Sequence, residues 1–270
     1  MKIDELNTYE SEQRGEALIF ADIPNEAYHA GVGISSSSIR RFGESQLHAI
    51  EHVQETTPAM KFGTAAHALL VEGEEAFNND IAVLAGSPYT NANKELKKEY
   101  EERGLTVIKE AELNHIKGMK ANMIEEGDMY LNPEGKLAEA SFYWYEDEVL
   151  CKCRPDVLCP PLTKPYADNS VVVVDYKTTQ SCDPKAFAGS VRKYGYDMQA
   201  AWYRRGMEKA GFKVQEFVFV AQEKVPPYAA KVFRITEEQM DIGWERMQKF
   251  LEDYKNYSKG GHLSIYNSPN

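Results

Sequence analysis

The sequence predicts a mixed α/β fold, a central sheet flanked by helices. Three observations predict it. Residues 136–158, KLAEASFYWYEDEVLCKCRPDVL, alternate with a period of two, as a β-hairpin does. Residues 170–179, SVVVVDYKTT, open with an unbroken apolar run, the pattern of a strand buried on both faces. Helical patterns precede and follow both stretches, so the sheet is layered with helices.

In chain order, residues 1–16 are polar and acidic and are expected as a flexible arm. Residues 17–270 are expected as one domain, with a core at about 59–235. Residues 17–32 read as a short extended segment and turns. A serine of the run Ser35–Ser38 caps a helix through Ile39 and Phe42. Pro58 opens a small-residue helix, AMKFGTAAHALLVEGEEAF, with Gly73 near its end. Strand and loop follow over 78–92, then a charged helix over 93–103 and another over 110–126. The turn NPEG at 132–135 leads into the hairpin, whose own turn is Glu146–Glu148. Pro160, Pro161 and Pro165 break the chain before the apolar run. Helices are expected over 184–193 and 196–210, strands at EFVFVAQ and YAAKVFRI, and a long helix over 236–258.

Composition excludes several classes. The chain has 270 residues, 43% of them hydrophobic and 27% charged, enough apolar surface for a proper core. No apolar stretch approaches the roughly 18–20 residues of a membrane span, and the acidic start does not resemble a secretory signal. The net charge of −11 argues against a protein that coats nucleic acid non-specifically. It leaves room for a DNA enzyme with a local basic track or a metal-filled acidic site. The four cysteines, Cys151, Cys153, Cys159 and Cys182, match no standard zinc spacing and are expected as reduced, partly buried thiols.

The chemistry concentrates in Pro155-Asp156 and Asp175-Tyr176-Lys177. Asp175 and Lys177 are two apart on one strand and share a face. A carboxylate placed after four valines is costly to bury without a partner. Lys177 alone is one such partner, as an ion pair at a sheet edge; a divalent cation held by two carboxylates on neighbouring strand ends is another. Glu139, on the first hairpin strand, is a third acid for such a site or an exposed strand glutamate. His67, amid alanines and leucines, is a packed core residue or a neutral imidazole ligand. Gln199 and Tyr203 are four apart and share one helix face. The serine run with Arg40 and Arg41 offers an anion a helix N-terminus and two guanidinium groups, or simply a cap.

Taken together, GTAAHALL, CKCRPDVL, VVDYKTT and QAAWY resemble the PD-(D/E)XK nuclease superfamily, and more closely the RecE (exonuclease VIII) C-terminal nuclease domain. The likeness runs from about Ile34 to Phe219 with order and spacing kept. It implies His67, Asp156, Asp175 and the Tyr176 carbonyl as metal ligands. It implies Lys177 as the catalytic lysine, Glu139 as a supporting acid, and Gln199 and Tyr203 as a pair near the scissile DNA. It implies Mg2+, with Mn2+ substituting, and a 5′-to-3′ exonuclease that acts on double-stranded DNA ends. Such an enzyme leaves 3′ tails for recombination. The expected setting is cytoplasmic, bacterial or phage-encoded, without a membrane. A homo-oligomeric ring and a single-strand annealing protein are the implied partners. Ser36, Ser37, Arg40 and Arg41 are the expected DNA-end contacts, and Arg40, Arg41, Arg192, Lys193, Arg204 and Arg205 are candidates for a basic channel, or solvated surface charges. Asp175 departs from the glutamate many members carry there. The chain also lacks the long N-terminal region of full RecE. The iron–sulfur variants need a cysteine before the core and three near the C-terminus, which this sequence does not have. Core chemistry is shared with endonucleases, so the motifs do not separate the two activities. A non-catalytic DNA-end-binding module would lack one of Asp156, Asp175 or Lys177, and all three are present.

Overall fold

The computed structural model describes residues 9–52, 56–162 and 167–261. Strands β1 (Glu12–Arg14) and β2 (Ala17–Phe20) open the chain, followed by helix α1 (Asn25–Ala30). Helices α2 (Ser36–Glu44), α3 (Gln46–Ile50) and α4 (Pro58–His67) come next. A π-helical turn, Ala68–Glu72, joins α4 to α5 (Glu74–Asp80). The parallel strands β3 (Ile81–Leu84) and β4 (Thr106–Lys109) bracket α6 (Asn91–Glu102). Helices α7 (Glu110–Ala121) and α8 (Glu125–Leu131) lead to β5 (Leu137–Ala138), β6 (Ser141–Glu146), β7 (Val149–Cys153), β8 (Val157–Cys159) and β9 (Ser170–Thr179). Then come α9 (Pro184–Tyr194), α10 (Tyr196–Lys209), β10 (Lys213–Glu223), β11 (Ala230–Ile235) and α11 (Glu237–Ser258).

The strands form an antiparallel sheet in the order β1-β2-β6-β7 and a mixed sheet in the order β11-β10-β9-β8-β5. The apolar run is thus the middle strand of the mixed sheet, and only its pairing with β10 is parallel. Its alternation divides the core. Val171 and Val173 join Phe217 and Phe219 against Phe187, Met198 and Trp202 of α9 and α10. Val172 and Val174 join Val218 and Val220 against Phe62, Ile116, Met119 and Leu131 of α4, α7 and α8. Each fully buried valine contributes roughly 1.5–3 kcal/mol, enough for this run to anchor the sheet.

Several expectations need correction. Residues 12–14, expected in the arm, form a strand, because Arg14 donates Nε to the Ala210 carbonyl at 3.2 Å and lies 3.9 Å over the Phe212 ring. Residues 1–8 of that arm, and Pro165, lie outside the described residues. The helix expected over 110–126 stops at Asn122, whose side chain caps the Gly118 carbonyl at 2.8 Å. The single hairpin expected over 136–158 is instead four strands shared between two sheets. Among the described residues, no helix is long and apolar enough to cross a membrane.

Gly243 shows how closely α11 seats on α10. A Cβ there would lie 2.6 Å from the Asp197 carbonyl oxygen, which is backbone and cannot swing away. Gly243→Ala is therefore expected to cost about 1–3 kcal/mol of overpacking, more than the ~1 kcal/mol gained in helix propensity. Urea unfolding checks this; an unchanged midpoint would mean the two helices are not so close.

Candidate functional site

The site forms where the chain changes sheets. β5 and β8 pair in the mixed sheet, whereas β6 and β7 pair in the antiparallel one. The two crossings, 139–140 and 154–156, run side by side, and the Glu139 N–H donates to the Asp156 carbonyl at 3.2 Å. Glu139 does not sit in a strand as expected. It occupies the corner with φ of 53°, a left-handed conformation uncommon outside glycine.

Strand β9 continues past the end of β8, since Val157 pairs with Val174 and nothing of β8 pairs beyond it. The Tyr176 N–H left without a ladder partner donates to Asp156 Oδ2 at 2.6 Å, a charge-assisted bond that fixes this carboxylate. From the opposite layer, His67 closes α4. Its Nε2 lies 3.4 Å from Glu139 Oε1 and 3.4 Å from Asp156 Oδ2. Its Nδ1 lies 3.1 Å from Glu72 Oε1. Glu72 is five residues on, and the π-turn, closed by the Gly73 N–H on the Ala68 carbonyl, brings that spacing onto one face. Lys136 pins the turn by donating to the Val71 carbonyl at 2.6 Å.

His67, Glu139 and Asp156 offer ligand atoms within 4.8 Å of one another, a grouping of metal-ligand type. His67 Nε2 is buried and, among the described residues, makes no hydrogen bond. One imidazole and two carboxylates around such an atom fit a divalent cation that accepts oxygen ligands. Two of the expected ligands, His67 and Asp156, lie in this grouping, together with Glu139, expected as a supporting acid. Asp175 lines the same cavity, outside that grouping. It is 1% exposed, with Oδ2 accepting from Lys177 Nζ at 3.0 Å and from Gln199 Nε2 at 2.9 Å. Gln199 also donates to the Tyr203 hydroxyl at 3.2 Å, so the pair shares a face as expected. Tyr176 turns its ring away, its hydroxyl donating to Gln222 at 3.0 Å.

Electrostatics follow from crowding acids in a dry place. Burial pushes Glu139 up to about 8, with Asp156 and Glu72 adding to the effect and His67 opposing it. Burial pushes Asp175 up to about 6 against the pull of Lys177. Burial disfavours charge on His67, but Asp156, Glu72 and Glu139 outweigh it and raise its pKa well above normal. Burial likewise opposes charge on Lys177, and Asp175 overcomes it. Burial holds the Tyr203 hydroxyl protonated.

Beside this cavity of about 710 Å³ lies a second of about 380 Å³, sharing Lys177, Gln199 and Tyr203. Ser36, Ser37 and Arg40 line it, at the start of α2, where Ser35 accepts from the Ser38 N–H. Arg41, next to Arg40 on the same helix, is not among its lining residues. Arg204 pairs with Asp241 at 2.6 Å, and Arg205 forks onto Glu146 at 2.9 and 2.6 Å. The four cysteines are free and buried. Cys159 sits in a different core cluster from the other three, and burial raises every thiol's pKa.

Sequence reasoning missed Glu72, Lys152, Arg154 and Tyr196. Lys152 alternates with the inward cysteines and donates Nζ to the Tyr28 and Gly31 carbonyls at 2.6 and 2.8 Å. Arg154, beside the motif aspartate, spans Ser141 and the Ile23 carbonyl. Tyr196 precedes Gln199 by three on the same helix face, a spacing that would have found it. Glu72 had no such signal.

Residues 35–267 match the family described as "PDDEXK-like domain of unknown function (DUF3799)". Among solved structures, the chain is similar to a Eubacterium rectale protein provisionally named an exonuclease. The likeness has 14% identity and a TM-score of 0.61, covering 91% of this chain and 90% of that one. It is also similar to SSO0001 at 14% identity, over 78% of this chain and 87% of that one, but a TM-score of 0.34 carries no argument. No curated protein matches the sequence significantly. The fold likeness, the mixed sheet and the motif residues gathered at its broken edge agree with the family match over most of the chain, which belongs to the PDDEXK-like DUF3799 family and has a PD-(D/E)XK nuclease fold.

Proposed function

We propose that the chain is a divalent-metal-dependent deoxyribonuclease of the RecE type. It would degrade duplex DNA from its ends, 5′ to 3′, leaving 3′ tails for recombination. One observation carries the reading: the His67–Glu139–Asp156 cluster stands directly beside the Asp175–Lys177–Gln199 network. His67, Glu139 and Asp156 would hold Mg2+, or Mn2+ in its place, with Asp175 and the Tyr176 carbonyl completing the oxygen set. When bound, the cation lowers the pKa of a water and offsets charge on the phosphate. Lys177 presents a charged Nζ to the attacking water or to a phosphate oxygen. Gln199 holds Asp175, and with it Lys177, in place. The cavity beside Ser36, Ser37 and Arg40 would receive the strand terminus, where a 5′ phosphate meets a helix N-terminus and a guanidinium. In this reading residues 17–270 act as one nuclease unit, working in the cytoplasm as a ring beside an annealing protein. The ring supplies the positive channel that the net charge of −11 does not suggest.

Linear duplex labelled at either the 5′ or the 3′ end, together with a covalently closed circle, tests this. With Mg2+ the linear DNA is expected to lose its 5′ label first, with EDTA nothing is lost, and the circle survives. A cut circle would favour an endonuclease of the same fold, and loss of the 3′ label first would reverse the polarity. Arg40→Ala is expected to slow digestion of 5′-phosphorylated ends more than of 5′-hydroxyl ends.

A further inference from the structure

The junction between α9 and α10 carries a feature that the cleavage chemistry does not use. Gly195 takes the left-handed conformation with φ of 67°, ending one helix and starting the next. The residues on either side of it, Tyr194 and Tyr196, stack with centroids 5.7 Å apart and planes at 29°. Tyr196 is rooted in the core against Phe219 at 5.2 Å, and Lys177 Nζ lies 4.9 Å from its ring centroid. Tyr194 is 49% exposed, so the stack leads from the lysine outward and ends in solvent. Lys193 Nζ lies 5.2 Å from the Tyr194 centroid.

Both tyrosines line the cavity that also contains Lys177, Gln199 and the serine turn. Its volume of about 380 Å³ is within the roughly 300–1,000 Å³ of small-ligand pockets. The junction is also held in place. A Cβ on Gly195 would lie 2.7 Å from Arg40 Cδ, so α2 and the tyrosine turn are in close contact. A half-exposed tyrosine adds little to the core. An aromatic face stacked on a second ring, flanked by cations and opening into a cavity, is suited to a flat π ligand carrying phosphate.

We propose that Tyr194, backed by Tyr196, is the stacking platform for the base of the terminal, unpaired nucleotide of the strand being degraded. This rests on the nuclease reading above and adds a nucleobase subsite to it. Stacking uses the π face that all bases share, so the subsite accepts any base. Lys193 is placed to meet the flanking backbone phosphate.

The test uses the full chain in EDTA, so that binding is read without cleavage. The probe is a 5′-phosphorylated single-stranded oligonucleotide with 2-aminopurine at either its 5′-terminal or an interior position. Wild type is expected to quench the terminal probe more strongly than the interior one. Tyr194→Ala should abolish the terminal quench and raise Kd roughly 5- to 150-fold, the equivalent of ~1–3 kcal/mol per stacked base. Tyr194→Phe and Tyr194→Trp should keep both, since the ring and not the hydroxyl makes the contact. Equal binding and quench by Tyr194→Ala would overturn the platform, as would equal quenching at both positions or loss of binding in Tyr194→Phe. Digestion of linear duplex by wild type with Mg2+ is run alongside. If wild type digests DNA but the tyrosine variants behave like it, only the platform fails; if wild type neither binds nor digests, the nuclease reading fails with it.

Discussion

Asp175→Asn is expected to lower the rate of DNA cleavage by on the order of 10²–10³-fold, the size of effect seen when one preorganised electrostatic group is removed. The substitution keeps the shape and leaves an oxygen for Gln199, but removes the charge that keeps Lys177 protonated in a buried setting. The fold should survive it, because two effects on stability oppose each other. Lys177 loses its partner. In return the repulsion with Asp156 is relieved, and a carboxyl that burial pushes up to about 6 no longer has to ionise at neutral pH. The sign follows from the direction of the shift. The raised pKa stabilises the folded state only at low pH, an advantage already lost above about 6. Melting at pH 8 should therefore stay near that of wild type. Cleavage near the wild-type rate would remove Asp175 from the chemistry, and a collapsed melting temperature would make its role structural.

Glu72→Ala is expected to weaken Mn2+ binding roughly 10–100-fold, the usual cost of deleting a partner that orients a ligating histidine. The Glu72 carboxylate, 3.1 Å from Nδ1, directs Nε2 of His67 toward Glu139 and Asp156. Glu72→Gln keeps an acceptor at that position and should retain most of the affinity. Calorimetric titration separates the two, and equal affinity in Glu72→Ala would show that the ring is held by packing alone. The same titration carries a pH signature. Glu139 is raised to about 8 and His67 well above its ordinary value, so a cation must displace protons from both. Affinity should strengthen as pH rises from 6.5 to 8.5, with protons released on binding.

The parts of the site legible in the sequence are those written in regular periods. The four valines marked the middle strand, the spacing of two joined Asp175 to Lys177, and the spacing of four joined Gln199 to Tyr203. The illegible parts depend on irregular backbone. Glu139 reads as a strand residue because its neighbours Phe142, Tyr143 and Trp144 favour strands, yet it turns a left-handed corner where the chain leaves one sheet for another. No local pattern records that a strand changes partners, since pairing is a long-range choice. Arg40 and Arg41 look equivalent in sequence, but adjacent helical residues point about 100° apart, and only Arg40 reaches the cavity.

The π-turn also sets how this helix would respond to a change in length. Losing one residue inside an ordinary helix rotates everything beyond it by about 100°. Between Ala68 and Glu72 the helix already carries one residue more per turn than the α geometry needs. A deletion there would let the segment relax into a regular and more comfortable helix, keeping its apolar face on the core. The acid would then stand four residues after the histidine, the spacing at which side chains of a regular helix meet, so it would still face the imidazole.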